Sequence, residues 1–164
     1  MTSLLQQRVW VIRGGESGIG EHEQEFLSDG LITVGFGCDR IVTDFKDTRE
    51  LRRYLEDERE HEGPQAARQL WDFAFELRVG DNVILPRTIR GHDRELRIGR
   101  VTGHYQFRTG QHHQHWRAVS WDDRVATRAG LDKGSLNAVN QRTTLNLIKD
   151  AEIAKRIRSH CLAV

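Results

Sequence analysis

The sequence predicts an α+β fold, a mixed β-barrel flanked by helices, and three observations lead there. Short runs rich in β-branched and aromatic residues recur along the chain. Several carry an internal glycine, where a barrel strand coils or bulges. Stretches with apolar residues three and four apart are inserted between the early runs, as amphipathic helices would be. At 164 residues the chain has the length of a single domain, 1–164, with a core over about 8–148 and a helical C-terminal tail.

The first run, Arg8-Val-Trp-Val-Ile-Arg13, reads as a strand that opens at Gly14-Gly15 into a glycine-dense loop over 14–20. A second strand, Leu31 to Phe36, follows the turn residues Ser28-Asp29-Gly30. Asp47 with Glu50 three residues on resembles a capping box, and Leu51, Tyr54 and Leu55 share the face of the helix it starts. Gly63-Pro64 opens the clearest helix, with Ala67, Leu70, Trp71, Ala74 and Leu77 on one stripe and an end before Gly80. Gly80-Asp81 turns the chain into a strand over 82–86. Arg90-Gly91-His92-Asp93 makes a hairpin turn, and Leu96 to Phe107 reads as one long strand bent at Gly99 and Gly103. His115 to Trp121 returns as a strand, and the tail is helical around Ile148 to Ile157.

Charged residues are 30% of the chain and hydrophobic ones 37%, which excludes a disordered segment. No basic stretch followed by an apolar core opens the sequence, and no apolar run approaches the ~20 residues of a membrane span. The expected location is the cytoplasm, with no membrane partner. Cys38 and Cys161 lack CxxC spacing and read as core thiols. Only four of the 25 basic residues are lysine: Lys46, Lys133, Lys149 and Lys155. Arginine's planar fork suits phosphate and guanine edges, although a GC-rich genome enriches arginine too. Position is more telling: Arg87, Arg90, Arg94, Arg97, Arg100 and Arg108 face only Asp93 and Glu95 within residues 87–108. Such a local basic face on a domain of net charge +1 fits one nucleic-acid backbone.

Catalytic motifs fail on spacing. The 14–20 loop has neither the GxGxxG pattern nor Gly-Lys-Ser/Thr, and Ile19 stands where a GxSxG elbow ends in glycine. It reads as a close-approach loop at a ligand mouth. Restriction-type nucleases need Glu-x-Lys, and none of the four lysines follows a glutamate at that spacing. His112, His113 and His115 lack a second ligand group nearby and read as a solvent hairpin loop brushing phosphates, so no metal and no cofactor is expected. The chain is read as a non-enzyme. A small hydrolase or transferase using Ser17, His104 or Asp81 is the alternative from another class. The aromatics Trp10, Phe36, Trp71, Phe73, Tyr105, Phe107, Trp116 and Trp121 are expected mostly in the core. Two or three near a basic rim would make a stacking pocket for a flipped base.

Six strings, in order, carry a resemblance: Val9 to Gly15, Gly30 to Phe36, Gln69 to Phe73, Gly80 to Pro86, Ile98 to Tyr105 and Arg117 to Trp121. Together they resemble the N-terminal EVE-like domain of Mrr-type, modification-dependent restriction endonucleases, a branch of the PUA-like superfamily. The resemblance implies a modified-base reader that flips a methylated base into an aromatic pocket, as the specificity module of a restriction or defence system. It puts the mouth at Arg13, Gly14, Phe36, Leu85 and Pro86, with Trp71 supplied by the preceding helix. Asp81 then orders a turn, while Arg100, Arg108 and Arg117 are the expected contacts to the nucleic-acid backbone. In those relatives the reader is fused to a cutting domain, so the expected partners are modified double-stranded DNA and a nuclease domain or subunit. An RNA-binding PUA-like reader of modified RNA is the alternative within the resemblance.

Overall fold

The computed structural model describes residues 7–15, 19–59, 63–110 and 113–164. Among these, eight strands and five α-helices form a mixed α+β fold. The strands are β1 (Val9–Ile12), β2 (Leu31–Val34), β3 (Asn82–Pro86), β4 (Glu95–Val101), β5 (Gln106–Phe107), β6 (His115–Trp121), β7 (Ala126–Thr127) and β8 (Leu145–Leu147). The helices are α1 (Glu23–Asp29), α2 (Thr48–Glu58), α3 (Gly63–Trp71), α4 (Lys133–Val139) and α5 (Ala151–Leu162).

One sheet runs β2-β6-β4-β3-β1-β8, with β5 added to β6 and β7 to β4. The β1–β3 pair is parallel, with Trp10 beside Val83, and the other pairs are antiparallel. The sheet curls into a half-barrel flanked by helices, so β1 and β2 share one core although three strands separate them in the sheet. Alternation along the strands sorts side chains between two cores. Trp10, Ile12, Ile32, Val34, Val83 and Leu85 point inward to α2 and α3, while Val9, Val11, Ile84, Leu96 and Ile98 meet α4 and α5. With both faces covered, β1 is apolar and buried at all four positions.

Local chemistry explains the boundaries. Asp47, Asp132 and Asp150 cap α2, α4 and α5, each carboxylate accepting from a backbone N–H in the first turn. Gly30 closes α1 in the left-handed region at φ 66°. The helix that opens at Gly63 ends in a widened turn over 72–76, where Leu77 N–H donates to the Asp72 carbonyl five residues back.

Several expectations need correction. The long strand over 96–107 breaks after Val101, because the Thr102 and Gly103 amides both donate to the Ala118 carbonyl and force a bulge. The second strand stops at Val34, leaving Phe36 in a turn. The tail helix starts at Ala151 rather than Ile148, which instead donates its N–H to the Val9 carbonyl. The helices α1 and α4 and the strand β8 were not expected at all. Gly99 does mark a crossing: a Cβ there would lie 2.5 Å from Val119 Cγ1. Among the described residues, no helix is long and apolar enough to cross a membrane.

Candidate binding cavity at the open seam

The half-barrel leaves a seam between its end strands β2 and β8, and a cavity of about 400 Å³ lies along it. Its walls come from the exit of β1 (Arg13, Gly15), the start and buried face of α1 (His22, Phe26), the end of β2 and the following turn (Thr33 to Gly37), His113, and Thr144 just before β8. The volume falls in the range of small-molecule sites, roughly 300–1,000 Å³.

Phe36 stands at the lip. Gly35 to Cys38 form a tight turn, closed by the Cys38 N–H donating to the Gly35 carbonyl at 3.2 Å. Phe36 and Gly37 occupy its central positions at φ 55° and 68°, and Phe36 is the only non-glycine residue with positive φ among the described residues. Holding a bulky L-residue there costs about 1–2 kcal/mol, so the surroundings must fix the turn. They do so from three sides. His115, fully buried, donates from Nε2 to the Cys38 carbonyl at 2.8 Å. Its Nδ1 accepts from the Tyr105 hydroxyl at 2.7 Å, and that oxygen accepts from the Val42 N–H at 3.0 Å. This pattern requires the neutral imidazole, and burial indeed pushes the His115 pKa down while it pushes the Tyr105 phenol up to about 12. Arg59, after α2, donates to the Gly37 carbonyl at 2.5 Å and pairs with Asp39 at 3.5 Å, while Tyr54 donates to Asp39.

Beneath the cavity Gly14 and Gly20 pack against a carboxylate of the chain itself. Glu23 is fully buried; its Oε2 accepts from Arg87 Nε at 2.9 Å and its Oε1 from the Thr88 N–H and hydroxyl at 2.6 and 2.5 Å. A Cβ on Gly14 would sit 2.8 Å from Glu23 Cγ, and one on Gly20, at φ 69°, would sit 2.4 Å from Thr88 Oγ1. Gly14 and Gly20 therefore leave room for Glu23 and Thr88. Ser17 lies outside the described residues.

The structure brings Arg13 and Phe36 to one cavity, with Gly14 just under its wall. Arg13 Nε donates to the Gln141 carbonyl at 2.6 Å and its N–H to the Thr144 carbonyl at 2.8 Å, and partial burial beside Arg128 lowers its pKa. The other expected pocket residues lie elsewhere. Leu85 and Pro86 are buried in β3, which is hydrogen-bonded on both sides by β1 and β4 and so turns its side chains into the two cores. Trp71 packs on the inner core and against Phe75, with ring centroids 4.2 Å apart. The aromatic wall is instead Phe26 and Phe36, with the imidazoles of His22 and His113. Those two rings meet edge-on, Nε2 to Nε2 at 2.6 Å, which ties the β5–β6 hairpin to the start of α1. Sequence reasoning missed Phe26, His22 and Thr144; Phe36 was placed at the mouth through the family resemblance, and was itself read as the end of a strand rather than a turn.

The arginines divide. Arg117 is only 2% exposed and cannot reach a phosphate: its guanidinium donates to the carbonyls of Gly103, Phe73 and Leu77 at 2.8, 3.0 and 2.7 Å, capping the widened turn after α3. Arg87 is likewise drawn inward by Glu23, so the expected basic face loses a member. Arg90, Arg94, Arg100 and Arg108 remain exposed. Arg100 borders a separate shallow recess with Trp121 and Asp122, and the Arg108 guanidinium lies 3.5 Å from the centroid of the Trp116 ring. The histidine hairpin is not a solvent loop throughout, since His115 is core and His113 engages His22; His112 lies outside the described residues. No group of three His, Cys, Asp or Glu fit to hold a metal occurs among the described residues. Asp81 accepts from Trp10 Nε1 at 2.9 Å, the Arg78 N–H at 3.0 Å and Arg8 Nη2 at 3.1 Å, and so orders the turn into β3. His104 borders an exposed groove with Tyr105 and Phe75.

Residues 10–147 match a family model described as Domain of unknown function (DUF8426). Neither the curated proteins nor the solved structures give a match to this chain.

Proposed function

The chain belongs to the DUF8426 family, from which no activity carries over, and on its own geometry we propose that it reads nucleic acid by taking an extruded, modified base into the seam cavity. The observation that carries this reading is the strained Phe36 at the lip of a preformed hollow beside the Arg13 guanidinium. An extruded base loses a few kcal/mol of stacking, which a ring at the lip and polar groups on the walls offset. Arg13 brings positive charge to the wall, and Thr33, Thr144 and the Gly35 backbone line it with hydrogen-bonding groups suited to base edges. The half-barrel with helices on both faces is compatible with the PUA-like architecture to which the sequence's resemblance points. On this reading the chain is a specificity module in a restriction or defence system, modified duplex DNA is its ligand, and a nuclease domain or subunit does the cutting. Exposed Arg90, Arg94 and Arg108 are the backbone contacts we assign to it.

The test is binding to oligonucleotides carrying methylated, hydroxymethylated or glucosylated cytosine or methylated adenine, each as duplex DNA and RNA, with a fluorescent base analogue reporting extrusion. The reading expects a preference for one modified duplex that drops at least tenfold in Phe36→Ala. A protein that binds modified and plain DNA equally, or whose preference survives Phe36→Ala, refutes it; a preference for RNA moves the same cavity to the RNA reading.

A further inference from the structure

Resting on that reading, we infer that the loop Asn140 to Thr144 reads the bases flanking the extruded one, so that this protein recognises a modification within a sequence context. A second recess, of about 550 Å³, adjoins the seam cavity; the two share Phe36 and Thr144. Its walls are unlike those of the first. Apart from Phe36 they are amide, hydroxyl and guanidinium groups: Gln65, Asn140, Gln141 and Arg142 stand at the rim, and none of these is buried. Amide and guanidinium side chains are the groups that pair bidentately with adenine and guanine edges in the major groove.

Exposed polar residues on a loop ordinarily mean only a solvated turn. Here the backbone is held on all sides. Arg13 grips the Gln141 carbonyl at 2.6 Å and its N–H binds the Thr144 carbonyl at 2.8 Å. Arg128 Nη1 donates to Asn140 Oδ1 at 2.9 Å, which leaves the amide nitrogen of Asn140 as the group offered to an acceptor. Gln69 Oε1 receives the Leu145 N–H at 2.9 Å, and its own Nε2 donates back to the Gln65 carbonyl, so Gln69 serves the scaffold. Arg142 has no carboxylate within ion-pair distance among the described residues. Gln141 Nε2 donates to the Asn137 carbonyl at 3.5 Å, so the groups this braced frame offers are Gln141 Oε1, the Asn140 amide nitrogen and the Arg142 guanidinium, the arrangement that positions reading groups without a large ordering cost. Arg13 belongs to both recesses, lining one and clamping the backbone of the other. A base seated against Phe36 would thus bring its neighbours in the duplex to Gln141 and Arg142.

The experiment uses the full chain and a duplex library in which the modified base is fixed and three positions on each side are randomised. Selection by the wild-type protein gives the flanking preference, and Arg142→Ala and Gln141→Ala, both at exposed positions, test its source. We expect each variant to keep the preference for the modified base while discrimination at one flanking position falls about tenfold, which corresponds to one bidentate base contact. If Arg142 meets only phosphate, Arg142→Ala weakens all sequences equally and lowers the salt slope by about one, which overturns the inference. Flat flanking preference in a wild-type protein that still selects the modified base overturns the inference and leaves the cavity reading standing. Indifference to the modified base removes both.

Discussion

Replacing Arg117 with methionine decides whether this arginine is an internal brace or a nucleic-acid contact. The guanidinium supplies the donors for three carbonyls, at Gly103, Phe73 and Leu77, all within 3.0 Å. An orphaned buried acceptor costs about 1–3 kcal/mol. Removing the cation also removes its own desolvation penalty, of several kcal/mol, which offsets part of that loss. Methionine fills similar length with apolar contact, so the expected net destabilisation is about 3 kcal/mol. For a chain of this size that lowers the midpoint of thermal unfolding by roughly 10 °C. Urea denaturation followed by far-UV circular dichroism measures the free energy, and the salt dependence of DNA binding is read in parallel. A variant within about 0.5 kcal/mol of wild type, with a salt slope reduced by about one phosphate contact, would refute the burial argument and restore the role expected from the sequence.

Acid should weaken the fold through His115. Its folded pKa lies below the unfolded value of about 6.5, so the unfolded chain binds the extra proton, and stability is complete above that value and declines as pH falls below it. Urea midpoints from pH 8 to 5 check this, and His115→Gln should flatten the slope; an unchanged slope assigns the effect to other groups. Gly20→Ala combines a φ of 69° with a Cβ 2.4 Å from Thr88 Oγ1, and should cost at least 1–3 kcal/mol in the same assay. Phe36→Asn places a residue tolerant of the left-handed region at φ 55°, so stability should move by less than about 1 kcal/mol while modified-base binding falls at least tenfold. A large stability loss with binding intact would make Phe36 a packing residue.

Strong periodicity made much of the frame legible. The β-branched run at Val9 to Ile12 and the stripe through Ala67, Leu70 and Trp71 each have one structural solution, and the structure adopts it. The α1 helix escaped because its sequence, Glu-Gln-Glu-Phe-Leu-Ser-Asp, buries a glutamate beside a single phenylalanine, and Glu23 is apolar in no pattern. Its partner Arg87 lies 64 residues away, a distance over which no local rule reads. The same cause misplaced Arg117: an arginine looks identical in sequence whether it serves phosphate or three carbonyls. In α4, Gly134, Ser135 and Asn137 all argue against a helix, and packing of Val139 beneath α5 overrides them. At the cavity, Arg13 and Phe36 were named through the family resemblance at the ends of two runs read as strands; Leu85 and Pro86 were named the same way, but β3 lies inside the sheet with β1 and β4 on either side.

Three of the buried polar networks flank the seam, while Asp81, Asn82, Arg117 and Ser135 are buried elsewhere. Glu23 with Arg87 and Thr88 lies below it, the His115–Tyr105 pair behind the Phe36 turn, and Gln69 with Leu145 on the far wall. Each network is costly to bury and is of doubtful value for stability against well-packed apolar side chains. What each one does is fix a backbone segment that a hydrophobic contact would leave free to slide: the segment at Arg87-Thr88 onto α1, the turn at 35–38, and the entry to β8. A closed barrel would need none of this, because strand pairing would hold β2 to β8 directly. An open seam that is polar-braced on three sides, with a strained aromatic at its lip, is therefore a hollow kept open at the expense of stability. On the proposed reading, that trade is the one a base-binding hollow would require.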